Sequence, residues 1–174
     1  MLPDKDPGAW RSRLVDYDGA IQEALRCIVA WVEDGVAPPK TTSYRYSADS
    51  GLVLAGAAAE RGGVQPLVWA EANGSARTEV KVGEPVTFTG RAEQPAGTGT
   101  IVSARWDFLG NGTFSHEHSL EDDMSSIKVE ATHGYTQPGT YFASFRVGAH
   151  RNGTKSQGLP IENGARVRVV VSSQ

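Results

Sequence analysis

The chain has 174 residues, with 17 Lys or Arg against 20 Asp or Glu and a net charge of −3 at pH 7. A length of this order suits one domain, or one domain and a smaller appendage. The acidic balance argues against nucleic acid as a main partner and against a polybasic membrane anchor, both of which need a basic excess. No apolar run approaches the roughly 18 residues of a membrane-spanning helix, so no membrane insertion is expected.

The first residues, Met1 to Pro7, lack the charged-then-apolar layout of a secretory signal. Residues 14–34 carry the one clear helical period. Ile21, Ala24, Leu25, Ile28, Val29 and Val32 recur at spacings of three, four and seven and form one apolar stripe. Asp16 or Asp18 can cap the start, Gly35 can end the helix, and Pro38-Pro39 forbids continuation. The other face holds Gln22, Arg26, Glu33 and Asp34. The stripe is therefore expected to pack on the strands of 41–72 or on a partner chain. Cys27, the single cysteine, forms no internal disulfide and rules out a cysteine-built metal site. With no histidine within 80 residues of it, Cys27 reads as a small packing residue.

After the helix the pattern changes to period two. Thr41 to Ser47 and Gly51 to Ala55 are strand-like around a turn at Asp49-Ser50-Gly51, and Ala57 to Gly63 is small and glycine-rich. Val64 to Ala72 reads as a strand ending at Asn73-Gly74. Gly83-Glu84-Pro85 turns into Val86 to Thr89. Ile101 to Phe108 alternates Ile101, Ser103, Arg105 and Asp107 against Val102, Ala104, Trp106 and Phe108. Tyr141 to Val147 and Ala165 to Val171 alternate in the same way. Strands of this length with no helix between them predict a mainly β chain, an antiparallel sandwich preceded by one amphipathic helix and short strands. Phe88, Trp106, Phe108, Phe145, Val147, Val167 and Val169 are expected to meet between the sheets.

The catalytic inventory is sparse. There is no Gly-x-Ser-x-Gly elbow, no phosphate-binding glycine loop, no Gly-x-Gly-x-x-Gly and no His-Glu-x-x-His. All four histidines, His116, His118, His133 and His150, lie in the second half. His116-Glu117-His118, near Asp122 and Asp123, is the one constellation that suggests a metal. Strand residues two apart face the same side, so His116 and His118 are candidate ligands for Zn²⁺ or Ni²⁺. The competing reading is a solvated polar loop with an acidic turn at Glu121-Asp122-Asp123. Asn73-Gly74-Ser75, Asn111-Gly112-Thr113 and Asn152-Gly153-Thr154 match the glycosylation pattern, but each is an Asn-Gly pair and reads first as a turn. Trp10, Trp31 and Trp69 are candidate sugar-stacking rings.

Val82-Gly83-Glu84-Pro85-Val86-Thr87-Phe88, then Ile101 to Phe108 with Gly110-Asn111-Gly112, then His133-Gly134-Tyr135-Thr136-Gln137-Pro138-Gly139-Thr140-Tyr141 form three ordered motifs. Together, over about 77–172, they resemble the polycystic-kidney-disease (PKD) domain, an Ig-like sandwich. Leu109 is inserted relative to the family's Trp-Asp-Phe-Gly-Asp-Gly motif, Asn111 stands where Asp is usual, and residues 116–128 are longer and more acidic than a minimal connection. On this resemblance Trp106 fills the space between sheets, and Asp107 accepts from the amides of the turn at 110–112. Tyr135 and Tyr141 bury their rings with hydroxyls at the rim. Asp107 and Asn111 are also candidate Ca²⁺ ligands, since hard oxygens clustered in a turn suit that ion.

Tyr17-Asp18-Gly19-Ala20-Ile21 through Ala30-Trp31-Val32-Glu33-Asp34-Gly35-Val36-Ala37-Pro38-Pro39 resembles the C-terminal helix of secreted α/β-hydrolases of the tannase and feruloyl-esterase kind. The two resemblances together imply a division into 1–63, the tail of an upstream domain, and 64–174, a PKD-like sandwich. They imply an extracellular or periplasmic, non-catalytic module acting as spacer, stabiliser or interaction platform. Its partners would be the upstream hydrolase domain or a protein or polysaccharide surface, and no cofactor beyond the candidate Ca²⁺ is expected. The alternative is a contribution to esterase-like activity as the C-terminal portion of the hydrolase, or through an unrecognised metal site.

Overall fold

In the computed structural model, which describes residues 7–153 and 158–173, apolar alternation becomes two facing sheets. The N-terminal part comprises α1 (Pro7–Arg13), α2 (Asp18–Asp34), a hairpin of β1 (Tyr44–Ser47) and β2 (Gly51–Leu54), and a one-turn α3 (Ala58–Arg61). The sandwich follows with β3 (Leu67–Ala72), β4 (Arg77–Lys81), β5 (Pro85–Glu93), β6 (Thr100–Asp107), β7 (His116–Glu117), β8 (Ser126–Gly134), β9 (Gly139–His150) and β10 (Ile161–Ser172). One sheet has the order β4-β10-β9-β6-β7 and the other β3-β5-β8.

All seven residues expected between the sheets are buried in one core cluster. Trp106 is fully enclosed, with ring centroids 4.7 Å from Phe145 and 5.2 Å from Phe88. Opposite them a Cβ on Gly90 would lie 2.5 Å from the Phe145 ring, so β5 needs a glycine there for the sheets to close. One part of the alternation is interrupted. Ile101 is buried although it was expected on the face opposite Trp106, because the β6–β9 register shifts between Ile101 and Ser103. A bulge of this kind inserts one residue and restores the inward phase beyond it.

Most pairings are antiparallel, but β4 runs parallel to β10. Asn73-Gly74 therefore does not close an ordinary hairpin. Both residues have positive φ, 49° and 74°, a single bridge joins Ala72 to Ser75, and the chain then crosses to the other sheet. The strand expected from Thr41 begins at Tyr44, and the glycine-rich 57–63 stretch contains α3.

The helix forms where its period predicts, but it lies the other way round. Asp16 accepts the amide of Asp18 at 2.9 Å; Gly35, at φ 69°, donates to the Trp31 carbonyl, and the Val36 amide to that of Ala30. Gly19, Glu23 and Cys27 are the buried positions, whereas Ile21, Leu25, Ile28, Val29 and Val32 are exposed, Val32 at 77%. The stripe does not pack on the strands of 41–72. The reason lies in the surface on which α2 rests. The sandwich has closed over its own core, and the edge it offers is polar backbone and arginine. A Cβ on Gly19 would meet the Pro160 carbonyl oxygen at 2.1 Å, so the helix touches the chain there. The amide of Leu159 donates to Gln22 Oε1 at 3.3 Å, and Arg151 pairs with Glu23 at 3.1 Å. Residues 11–14 continue across β9, where Ser144 donates to the Ser12 carbonyl and Arg146 to those of Arg11 and Leu14.

Candidate functional site

Four places carry polar or reactive side chains in an organised setting. The first is the turn after β6. Asp107 is completely buried, and its Oδ1 accepts from the amides of Gly110 at 2.8 Å and Asn111 at 3.3 Å. Its Oδ2 accepts from Gly112 at 2.7 Å. Asn111 Oδ1 accepts from the amide of Thr113. The two candidate Ca²⁺ ligands thus adjoin each other, with their oxygens turned to amides of their own turn. Gly110, at φ 69°, lets the chain pass the Phe142 carbonyl, which a Cβ would approach to 2.6 Å. Tyr135 is buried and donates to the Phe108 carbonyl at 2.9 Å, so its hydroxyl lies inside and not at the rim as expected. Burial pushes its pKa well above the ordinary phenol range. Tyr141 is the more exposed of the two and donates to the Gln137 carbonyl.

The second place is the histidine end. His116 and His118 do converge, with rings edge-on at 4.7 Å. His118 Nε2 is buried without a hydrogen-bond partner, and burial, then the charge of His116, lowers the His118 pKa. His133, from the other sheet, stacks on Phe108 at 4.7 Å, and His116 lies 5.8 Å from the same ring. Burial lowers the His133 pKa. Asp123, at φ 61°, lies near Gly153. Among the described residues no three His, Cys, Asp or Glu side chains gather as a metal-holding group. Sequence reasoning missed His133 because nothing in the linear order shows that β8 brings it over Phe108.

The motifs thus occupy one sandwich: Trp106 in the core, Asp107 in the turn, Tyr135 under Phe108 and the Pro138-Gly139 turn at the head of β9. A family model described as PKD domain matches residues 69–159, just over half of the chain. The chain belongs to the PKD domain family. A search of curated proteins finds no match. PKD domains are Ig-like modules that are generally non-catalytic and typical of extracellular proteins. No helix among the described residues is long and apolar enough to cross a membrane.

The third place joins α2 to the PKD sandwich. Glu23 is nearly buried between Arg26, at 3.4 Å, and Arg151. The Cys27 thiol donates to Glu23 Oε1 at 3.6 Å. Burial and the Glu23 charge push the Cys27 thiol up, which disfavours the thiolate a nucleophile needs. His150 is buried nearby, and burial and then the Arg26 charge lower its pKa. Trp31 borders a groove of about 490 Å³ between α2 and residues 38–42. Trp10 and Trp31 are exposed, and Trp69 is half-buried on β3. Asn111 and Asn152 lie in turns, and Thr154 lies outside the described residues.

The fourth place is the outer face of the larger sheet. Register sets Arg105, Arg146 and Gly164 in one row, and Asp107, Ser144 and Arg166 in the next. Glu162 pairs with Arg105 at 2.8 Å and with Arg146 at 3.4 Å. Arg146 lies 4.3 Å beneath the Phe114 ring. Burial lowers the Arg146 pKa, and Glu162 opposes that shift. These outward arginines were read as the polar half of the alternation, since their convergence depends on cross-strand register.

Proposed function

We propose that this PKD sandwich is a non-catalytic spacer and attachment module, and that residues 1–63 are the C-terminal tail of a secreted α/β-hydrolase domain. On this reading the protein works outside the cell or in the periplasm. The observation that carries it is the uncovered apolar face of α2. Ile21, Leu25, Ile28 and Val32, at spacings of four, three and four, all face away from the sandwich. Trp31, Val29 and Val36 flank them, and Tyr44, Tyr46, Leu52 and Leu54 of the hairpin are exposed as well. Exposed apolar residues at one helical spacing mark an interaction site. A hydrolase domain packed over α2 accounts for it. The polar face of the helix, through Gln22, Glu23 and Arg26, then fastens that domain to the sandwich.

The test extends the reading frame upstream of Met1 and follows amide exchange along α2 in the long and short chains. Strong additional protection at Leu25 to Val32 in the long chain supports the reading. Equal exchange in both would remove it. An activity screen of the present chain on short acyl esters and aryl glycosides, with and without Zn²⁺ or Ca²⁺, is expected to show no saturable turnover. Turnover lost on mutating His116 or His118 would instead favour a metal-dependent enzyme.

A further inference from the structure

We infer that the pocket between residues 12–15 and β10 binds an anionic sugar, a ring carrying one carboxylate, as part of an acidic polysaccharide. The inference deepens the reading of the chain as an attachment module and rests on it. The pocket encloses about 330 Å³, at the small end of ligand sites and of a size for one sugar ring. Arg13, Arg146 and Arg166 line it, with Ser144 on the floor and the Phe114 ring at one side.

Three features make this more than the polar half of a sheet. Gly164 carries no side chain where β10 passes residue 15; a Cβ there would lie 3.1 Å from the Phe145 carbonyl oxygen and 3.8 Å from Val15 Cγ1, so the glycine leaves that space open. Phe114 follows the Asp107 turn and its ring lies 4.3 Å from the Arg146 guanidinium, so an aromatic ring sits beside that cation. Among the described residues Arg13 and Arg166 have no carboxylate within ion-pair distance, in a chain that is acidic as a whole. The charges that face the pocket are Arg13, Arg105, Arg146 and Arg166 against Glu162 and Asp16. That small surplus suits a monoanion. A guanidinium fork matches a carboxylate in two hydrogen bonds. The hydroxyl of Ser144 donates to the Ser12 carbonyl and keeps its oxygen as an acceptor for a sugar hydroxyl. The covering segment 11–14 and the interleaved Glu162 break up the flat basic stripe that a nucleic acid backbone would need.

The experiment titrates the whole chain with trigalacturonate, with its methyl-esterified form and with a short oligothymidylate of matched charge, by calorimetry at two salt concentrations. Trigalacturonate is expected to bind, more weakly in high salt, and its ester at least about tenfold more weakly because the charged hydrogen bonds are lost. Arg13→Gln with Arg166→Gln is expected to weaken binding by about tenfold or more. Arg45→Gln, which removes one charge on the distant hairpin, should change it by less than about twofold. Phe114→Ala should weaken the ester and the acid alike. Absence of trigalacturonate binding overturns the proposal, and so does equal binding of the ester. Equal binding of the oligothymidylate, or an equal loss in Arg45→Gln, reduces the site to general polyanion attraction and overturns it too. None of these outcomes alters amide protection along α2, so failure here and failure of the hydrolase-tail reading are separable.

Discussion

Glu23 of α2 meets Arg151, just beyond β9, at 3.1 Å, and this buried carboxylate holds the helix to the sandwich. Arg26 and the Cys27 thiol converge on the same carboxylate. Both guanidinium groups are more than a third exposed, so water screens part of the attraction. Replacing the carboxylate by an amide removes the counter-charge of both cations, leaves one acceptor oxygen for three donors and turns an NH₂ toward one of them. Glu23→Gln is expected to cost about 1–2 kcal/mol. The loss should appear as faster amide exchange in α2 with β5, β6 and β9 unchanged. Uniform acceleration across the sandwich would mean that the helix and sheets form one cooperative unit.

Trp106 is the largest fully buried side chain. It touches rings from both sheets, Phe145 on its own and Phe88 opposite. Trp106→Ala is expected to cost about 3–5 kcal/mol, since the surrounding strands cannot collapse into so large a void. Urea denaturation followed by tyrosine fluorescence measures this. A loss under about 1 kcal/mol would place the residue outside the core.

The sandwich was legible because each strand writes its inward face at every second position. The Trp106–Asp107–Phe108 segment was equally so, since a large ring, a turn carboxylate and glycines each have one economical use there. The phase of Ile101 was not, because a one-residue bulge leaves no compositional trace. For α2 the period was plain and its direction was not. A stripe shows that one side is apolar without saying that the covering surface belongs to the same chain. The arginine pocket and the meeting of His133 with Phe108 depend on cross-strand register, which linear order does not display.

Asp107 accepts three amide hydrogens at its two carboxylate oxygens. The amide group of Asn keeps one acceptor oxygen and turns its NH₂ toward the amide of Gly112 or toward those of Gly110 and Asn111. Asp107→Asn is therefore expected to lose about 1–3 kcal/mol through an unsatisfied buried donor. Phe114 follows this turn by two residues and lies over Arg146, so the Phe114 ring signals should broaden or shift in NMR spectra. Unchanged stability and unchanged ring signals would show that the turn is set by Gly110 and Gly112 alone.

Acid should destabilise the fold through its histidines. His118, His133 and His150 all have pKa values lowered from the usual value near 6.5, each chiefly by burial. A lowered folded-state pKa means that the unfolded chain takes up the proton first. Each group's stabilising contribution is therefore complete above about pH 6.5 and is lost as pH falls through that value toward the folded pKa. His133 lies against the Phe108 ring, His116 lies against the same ring, and His118 packs edge-on against His116, so protonating His118 and His133 also builds like charge at that end of the sandwich. Denaturation midpoints are expected to hold steady from about pH 8 to 7 and to fall from about pH 6.5 downward. His133→Gln should flatten that fall by its own share while leaving the high-pH plateau nearly level. A midpoint that rises on acidification would show that the three rings are hydrated in solution, and a His133→Gln profile parallel to that of the unsubstituted chain would show that His133 is not buried against Phe108.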